Sequence, residues 1–306
     1  MPILSVIIPH KNCPELLKRC VESVPQSDDI EIILVDDNSD DKTLLHDCLK
    51  DINRSNLVFI ESQKGGWAGG SRNQGLDIAK GDWIIFLDAD DFFIEGAFEL
   101  FFSMTESEND IVYFKHQSVY TDTLISCVRF PYRNKVISEC ANNKDVKHLE
   151  LVRYGDVVPW GKMIRRSIIE GNHIRYEEIP CCEDVMFMMK CASKAVKIEV
   201  VNEIVYCLTY RDTSLTMAPS KEKDWVAFNV ALEKNEMLTS LGVKGQKTRV
   251  MSHVFKAFRR YGLEESIRYI KTAHSERRSV FEGLFFSPSE LKDRIYSLFH
   301  RDNYQG

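Results

Sequence analysis

The chain has 306 residues, 44% of them hydrophobic and 28% charged, enough for one large globular domain or two modest ones around a substantial core. With 46 acidic and 40 basic residues the formal charge is −6, which weighs against nucleic acid as the main partner, because a binder of phosphate backbones needs a net basic surface. The nine cysteines form no double Cys-x-x-Cys pattern for zinc and read as small buried thiols in a reducing cytoplasm.

The opening "MPILSVIIPHKN" lacks a basic region and a cleavage site, so it reads as a strand and not as a signal peptide. No later stretch approaches the roughly 20 apolar residues of a membrane span. In chain order the first half then alternates "LSVIIP" (4 to 9), a helix at 13 to 24, "EIILVDD" (31 to 37), a helix at 41 to 51, "LVFIES" (57 to 62), a helix at 68 to 80 and "WIIFLD" (83 to 88). Strands separated by helices of this length imply crossover connections and a mostly parallel sheet. Their near-continuous Val, Ile and Leu content implies that both faces are covered. The fold class is therefore α/β, doubly wound.

Residues 110 to 210 mix strands ("DIVYFKH", "KIEVV", "EIVYCLTY") with short helices, of which "CCEDVMFMMKCASKA" has the best pattern. No linker separates this part from the first half, so residues 1–220 read as one catalytic domain, with halves at about 1–115 and 116–220. Residues 221–306 read as a C-terminal amphipathic helical region with loop signals at "LGVKGQK" and "FFSPSE". Between residues 244 and 278 it carries ten Lys or Arg against three acidic residues. That basic face suits a membrane surface or a lipid acceptor; a solvated face, a face packed on the catalytic part and a dimer contact are equally open.

In a doubly wound sheet ligands bind outside the carboxyl ends of the strands. Pro9-His10-Lys11, Asp36-Asp37 and Asp88-Ala89-Asp90-Asp91 all follow strands and converge on that edge. Asp88 and Asp90, two residues apart at an extended strand end, can point the same way and offer hard oxygens to Mg²⁺ or Mn²⁺. Asp91 is better explained as a cap of the helix near Glu95 to Met104, and Ser39 or Asp40 as the cap of the helix at 41 to 51. Asp36 and Asp37 suit the base or ribose of a nucleoside. With no glycine-rich phosphate loop in the sequence, a divalent ion is needed to reconcile a diphosphate with so many carboxylates. In "KGGWAGGSRNQGL" (64 to 76) Arg72 opens a helix beneath the same edge, where it either pairs with an aspartate or faces phosphate. The glycines there also serve tight turns and close helix approach.

The segments "SVIIPHKN", "ILVDDNSDD", "GGWAGGSRNQGLDIAKGDWIIFLDADDFF", "VPWGKMIRRSII", "CCEDVMFMM" and "YRDTSLT" stand in order over about residues 3 to 216, and together they resemble the family 2 glycosyltransferases of GT-A fold. The resemblance implies that Asp88-Ala89-Asp90 is the Asp-x-Asp motif, with Asp90 the metal ligand and Asp88 nearer the ribose or sugar. It implies nucleoside binding at Pro9 and Asp37, and places the general base in the pair Glu183-Asp184, at Asp184. Trp160 and Lys162 match a segment on the acceptor side; Arg211 and Ser214 match a loop near the diphosphate.

Displacement at an anomeric carbon needs a base for the acceptor hydroxyl and a Lewis acid for the departing diphosphate, a division of work that Asp184 and Asp90 would meet. Negative charge at a helix N-terminus is the bland alternative for Glu183 and Asp184. The Gln-x-x-Arg-Trp motif and membrane helices of the family's processive synthases are missing, which implies single addition. The resemblance implies inversion. The expected activity is transfer of one sugar from a nucleotide-sugar, UDP-linked, to a saccharide or lipid-linked acceptor of a surface polysaccharide, in the cytoplasm or at the inner face of its membrane. The competing readings are a sugar nucleotidyltransferase, disfavoured because "PHKNCPELL" is not a basic glycine-rich loop, and a non-catalytic sugar-nucleotide binding module, disfavoured because Asp37, Asp88, Asp90 and Asp184 are all present.

Overall fold

Strand β1 (Leu4–His10) lies at the centre of the first sheet half because almost every one of its side chains finds a covered face: Val6 and Ile8 pack on one side, Ile7 on the other. The structure, a computed structural model, describes residues 1–52, 54–62, 65–211, 220–276 and 278–281. It divides into two compact units, Met1–Met217 and Ala218–Gly306.

In the first unit β1 is followed by α1 (Pro14–Glu22), β2 (Ile30–Asp36), α2 (Lys42–Ile52), β3 (Leu57–Glu61), α3 (Trp67–Ile78) and β4 (Trp83–Phe86). Pro14 sits in the first turn of α1, where its missing N–H costs nothing. The chain then forms β5 (Phe92–Phe93), α4 (Ala97–Thr105), β6 (Ile111–Tyr120), α5 (Pro131–Asn142), α6 (Val146–Gly155), β7 (Lys162–Arg165), α7 (Arg166–Gly171), α8 (Glu183–Lys194) and β8 (Ile198–Tyr210).

All eight strands make one sheet in the order β3-β2-β1-β4-β7-β6-β8-β5. The pairs β1–β2, β1–β4, β2–β3 and β6–β8 are parallel, whereas β7 runs antiparallel to β4 and β6, and β5 antiparallel to β8. Helices α1, α2 and α4 contribute Leu17, Leu45 and Phe101 to the core on one face; α3, α5 and α8 contribute Leu76, Ile137 and Phe187 on the other. The chain leaves β1 toward β2 and β3 and returns to its other side at β4, so β1 is the switch point at which an open parallel sheet presents a crevice.

Three elements differ from the sequence reading, the first being the short β5, which was not expected. The four residues of β7 were not expected, since Lys162 in "KMIR" masks a buried run. The segments "KIEVV" and "EIVYCLTY" are a single strand of 13 residues, β8, whose pairing with β6 shifts register near the polar Asn202-Glu203.

The second unit contains α9 (Lys221–Ser240), α10 (Val250–Tyr261) and α11 (Leu263–Ser275). The Ser220 hydroxyl accepts the Lys223 N–H and caps α9. Phe228, Leu232, Val254, Ala257 and Tyr269 form its core. Asp224 on α9 takes Lys256 at 2.6 Å and Arg260 at 2.7 Å from α10. The loop signal "LGVKGQK" falls between α9 and α10, while "FFSPSE" lies outside the described residues. Among the described residues no helix is long and apolar enough to cross a membrane.

Candidate active site

At the carboxyl end of β1 and β2, His10 Nδ1 lies 2.8 Å from Asp36 Oδ1, and the Ser39 hydroxyl and N–H also donate to Asp36. Burial works against this carboxylate, but the His10 and Ser39 hydrogen bonds outweigh it and hold Asp36 below the usual range. Asp36 and Ser39 are thus committed to holding the strand ends together, and the cap of α2 is Asp41, which accepts the Leu44 N–H at 2.9 Å. Asp37 reaches a different place. Its Oδ1 accepts the Gly66 N–H at 2.8 Å and its Oδ2 the Lys11 ammonium at 3.2 Å. Pro9 pairs with Val35 directly beside it.

After β4 the residues Asp88 to Asp91 form a turn closed by the Asp91 N–H on the Asp88 carbonyl at 3.0 Å. The expected extended end, with its carboxylates pointing the same way, is replaced by a turn that sends the carboxylates to three partners. Asp88 takes Arg72 Nη2 at 2.8 Å. Asp90 lies 4.0 Å from Arg211 Nη2; burial and the neighbouring charge of Asp88 push its carboxyl up. Asp91 turns inward, accepting the Tyr206 hydroxyl at 2.7 Å and the Thr209 N–H at 2.6 Å. Asp91 therefore does not cap a helix. Gly96, in the left-handed region, precedes α4 instead, and Asp91 is a buried tie between the turn and β8. Ala89 is buried within the same turn.

Arg72, on α3 and only 4% exposed, is the centre of the cleft. Its Nη1 donates to Glu183 at 2.9 Å and to Asp184 at 3.0 Å, while Nη2 donates to Asp88. The guanidinium stands over the Tyr176 ring at 5.3 Å, and that ring stacks on Phe187 of α8 at 3.8 Å. Glu183 and Asp184 form the first turn of α8, after Cys182 in a left-handed conformation. Burial, and then the charges of Glu183 and Asp88, push the Asp184 carboxyl up to about 7, against the opposing pull of Arg72 and Lys162. A carboxylate with this affinity for a proton can exchange one near neutral pH.

Trp160 and Lys162 were expected on the acceptor side, and both side chains are buried. Lys162 pairs with Asp156 at 3.1 Å, and burial brings its ammonium down to about 8. Arg133 donates to the other Asp156 oxygen at 3.0 Å and covers the Trp160 ring, which stacks on Tyr206 at 5.2 Å. Sequence reasoning placed His10 at the site edge without its Asp36 partner, and missed Asp156, Arg133 and Tyr206, because each serves a partner at least 17 residues away that no local pattern marks. Arg211 sits between Glu15, at 3.6 Å, and Asp90. Ser214 lies outside the described residues.

The profile of glycosyl transferase family 2 matches residues 5–193, which takes in β1, the Asp88 turn and the Glu183-Asp184 pair. The chain belongs to this family. Among similar family 2 glycosyltransferases, the cholesterol galactosyltransferase of Borreliella burgdorferi is 31% identical over 79% of this chain and 68% of its own length. The UDP-Glc:alpha-D-GlcNAc-diphosphoundecaprenol beta-1,3-glucosyltransferase WfaP of Escherichia coli is 25% identical over 80% of this chain and 88% of its own. For other curated relatives the share spanned falls to 65% and to 32%. Residues 1–349 of TarS from S. aureus, solved with UDP-GlcNAc, superpose with a TM-score of 0.69 at 21% identity, over 89% of this chain and 79% of that one. The fold is that of the GT-A glycosyltransferases. Among the described residues of this family 2 chain, no group of three or more His, Cys, Asp or Glu side chains is gathered to hold a metal ion.

Proposed function

We propose that this family 2 glycosyltransferase moves one sugar from a nucleotide-sugar, UDP-linked, to a hydroxyl of a saccharide or lipid-linked oligosaccharide in surface polysaccharide synthesis. The observation that carries the reading is the buried Arg72, which ties the Asp88 turn to Glu183 and Asp184 in one cleft at the sheet's switch point. The UDP-GlcNAc bound to TarS and the UDP-Glc and diphosphoundecaprenol in the name of WfaP support the donor and acceptor classes.

In this reading Asp184 takes the proton of the acceptor hydroxyl as that oxygen bonds to the anomeric carbon. The bond to the diphosphate breaks on the opposite side, so the configuration inverts and no covalent enzyme intermediate forms. Glu183 shares Arg72 with the base and holds its charge in check. Asp37, each of whose oxygens keeps a lone pair free, receives a nucleoside donor group beside Pro9. Asp90, whose nearest cation Arg211 stands 4.0 Å away, offers hard oxygens that with Asp88 would hold Mn²⁺ or Mg²⁺. Such an ion would neutralise the charge of the leaving diphosphate. Ala89 brings the turn's backbone close to the donor. Arg211 stands beside the same turn, and Trp160 and Lys162 support the acceptor side.

The enzyme works in the cytoplasm at the inner face of the membrane, with α10 and α11 as a peripheral contact. Phe255, Phe258, Leu263, Ile267 and Ile270 are exposed there among the basic residues. The deciding experiment offers the purified chain a panel of UDP-sugars, with and without Mn²⁺, and reads UDP release. Metal-stimulated release from one or a few of them is expected; release from none sinks the UDP assignment.

A further inference from the structure

After β6 the chain makes a tight reversal, in which the Leu124 N–H bonds the Tyr120 carbonyl and the Tyr120 N–H bonds the Ile125 carbonyl, both at 2.9 Å. Val119 bridges Ser126, so the segment is a short hairpin that leads on to α5. Its backbone is well paired, yet its large apolar side chains face outward: Leu124 is 50% exposed, Ile125 64%, Val128 57% and Phe130 49%. Tyr120 and Tyr132 are exposed at its two ends. Leu124 (φ 55°) and Phe130 (φ 50°) both occupy the left-handed region, which bulky residues rarely adopt. A fold that holds this backbone and still displays these side chains needs a partner for them, since a contiguous exposed apolar patch marks an interaction surface.

The lip is fastened to the Asp88–Asp91 turn. Arg19 donates to the Thr121 carbonyl and to the Asp90 carbonyl, both at 3.2 Å. Arg129 donates to the Thr209 carbonyl at 3.1 Å and stands over the rings of Phe130 and Tyr210. Thr209 in turn donates its hydroxyl to the Asp90 carbonyl at 3.0 Å. Its charge runs against that of the whole chain. From residue 111 to 139 stand Lys115, Arg129, Arg133 and Lys135 against Asp122 and Glu139. Arg133 is spent on Asp156 inside and Arg19 on two backbone carbonyls, while Arg129 is half-buried and Lys135, 3.8 Å from Glu139, is exposed.

We propose that this lip inserts into the interface of an anionic phospholipid bilayer. Leu124, Ile125 and Val128 would enter the acyl boundary, Tyr120, Phe130 and Tyr132 would sit at headgroup level, and Arg129 and Lys135 would meet the phosphates. This chemistry favours lipid over a free saccharide, which would ask for more polar partners than aliphatic side chains at a hairpin tip can give. The contact is separate from the one assigned to α10 and α11. It also brings a lipid-linked acceptor directly to the Asp90 turn; only that last point rests on the transfer reading above.

The test is co-sedimentation of the full chain with vesicles of phosphatidylcholine containing phosphatidylglycerol, and with phosphatidylcholine alone. Binding to the anionic vesicles that weakens with salt is expected, with a loss of roughly tenfold or more in the Leu124→Asp, Ile125→Asp double variant. Ile125→Ser should give a smaller loss, and both variants should melt like the parent, because the changed side chains are exposed. Since no turnover is read, a failed transfer assay leaves this result standing. A parent chain that ignores both vesicles, or a double variant that binds as the parent does, overturns the proposal. So does a parent dimer that the double variant dissociates while vesicle binding persists, because the lip would then cover a second copy.

Discussion

Arg72 illustrates how one buried side chain can decide the behaviour of a cleft. Its charge lowers the Asp184 carboxyl, which burial, Glu183 and Asp88 raise. A base must be deprotonated to work, so transfer should climb as pH rises through about 7 and level off above it. Arg72→Gln removes the one strong lowering influence in contact with the pair, so the climb should move to higher pH while the plateau falls. A pH–rate profile with an unmoved midpoint would separate Arg72 from the base. Asp184→Asn should reduce transfer by roughly 10² or more yet leave UDP binding nearly intact. Full activity in that variant would shift the base to Glu183. Asp90→Ala should abolish the Mn²⁺-dependent part of UDP binding, which titration calorimetry with and without the ion can read. Of these residues, Asp37, Asp88 and Asp90 were legible as acids at the ends of apolar runs, and the Glu183-Asp184 pair as acids opening a helix whose role the family resemblance implied. Arg72 was legible only as an alternative between aspartate and phosphate, because its partners lie up to 112 residues away.

At the level of elements, α3 is seated by the lack of side chains on its inner face. A Cβ on Gly69 would come within 2.3 Å of the Glu177 carbonyl, and one on Gly75 within 2.5 Å of Ile7. Asn73 locks the same contact by exchanging two hydrogen bonds with the backbone of Tyr176. Gly69→Ala should therefore cost about 1–3 kcal/mol in urea unfolding and weaken transfer as well, because it displaces the helix that carries Arg72. Strand β7 shows the opposite device, a buried lysine made tolerable by Asp156, which also serves Arg133 of α5. Asp156→Ala leaves two buried cations unpaired, with an expected loss of ~3–5 kcal/mol. A loss below 1 kcal/mol on the same scale would mean that water reaches the site. These two elements explain the unevenness of the sequence reading. Strands β1 to β4 are recognisable because they are near-continuous runs of Val, Ile, Leu and aromatic residues, whereas β7 hides its strand character behind a lysine whose burial depends on Asp156, outside the strand.

At the scale of the whole molecule, Met1–Met217 and Ala218–Gly306 are each built around their own core. In the second unit, α11 buries Tyr269 and Ala273 on one side and displays Leu263, Ile267 and Ile270 on the other. Ile267→Asp with Ile270→Asp should thus lower vesicle binding without lowering the melting temperature. An unchanged partition would assign that stripe to a protein contact. The sequence by itself determined the α/β class, the crossover order of the first four strands and the acids at their carboxyl ends, because apolar run length and strand–helix alternation are local properties. Only the tertiary structure decided which acids are free and which are spent. Asp36 and Asp91 are bound into the framework, Asp88 and the Glu183-Asp184 pair share one guanidinium, and Asp90 meets its nearest cation, Arg211, at 4.0 Å. Those assignments depend on partners brought together by the sheet, and residue spacing along the chain carries no record of them.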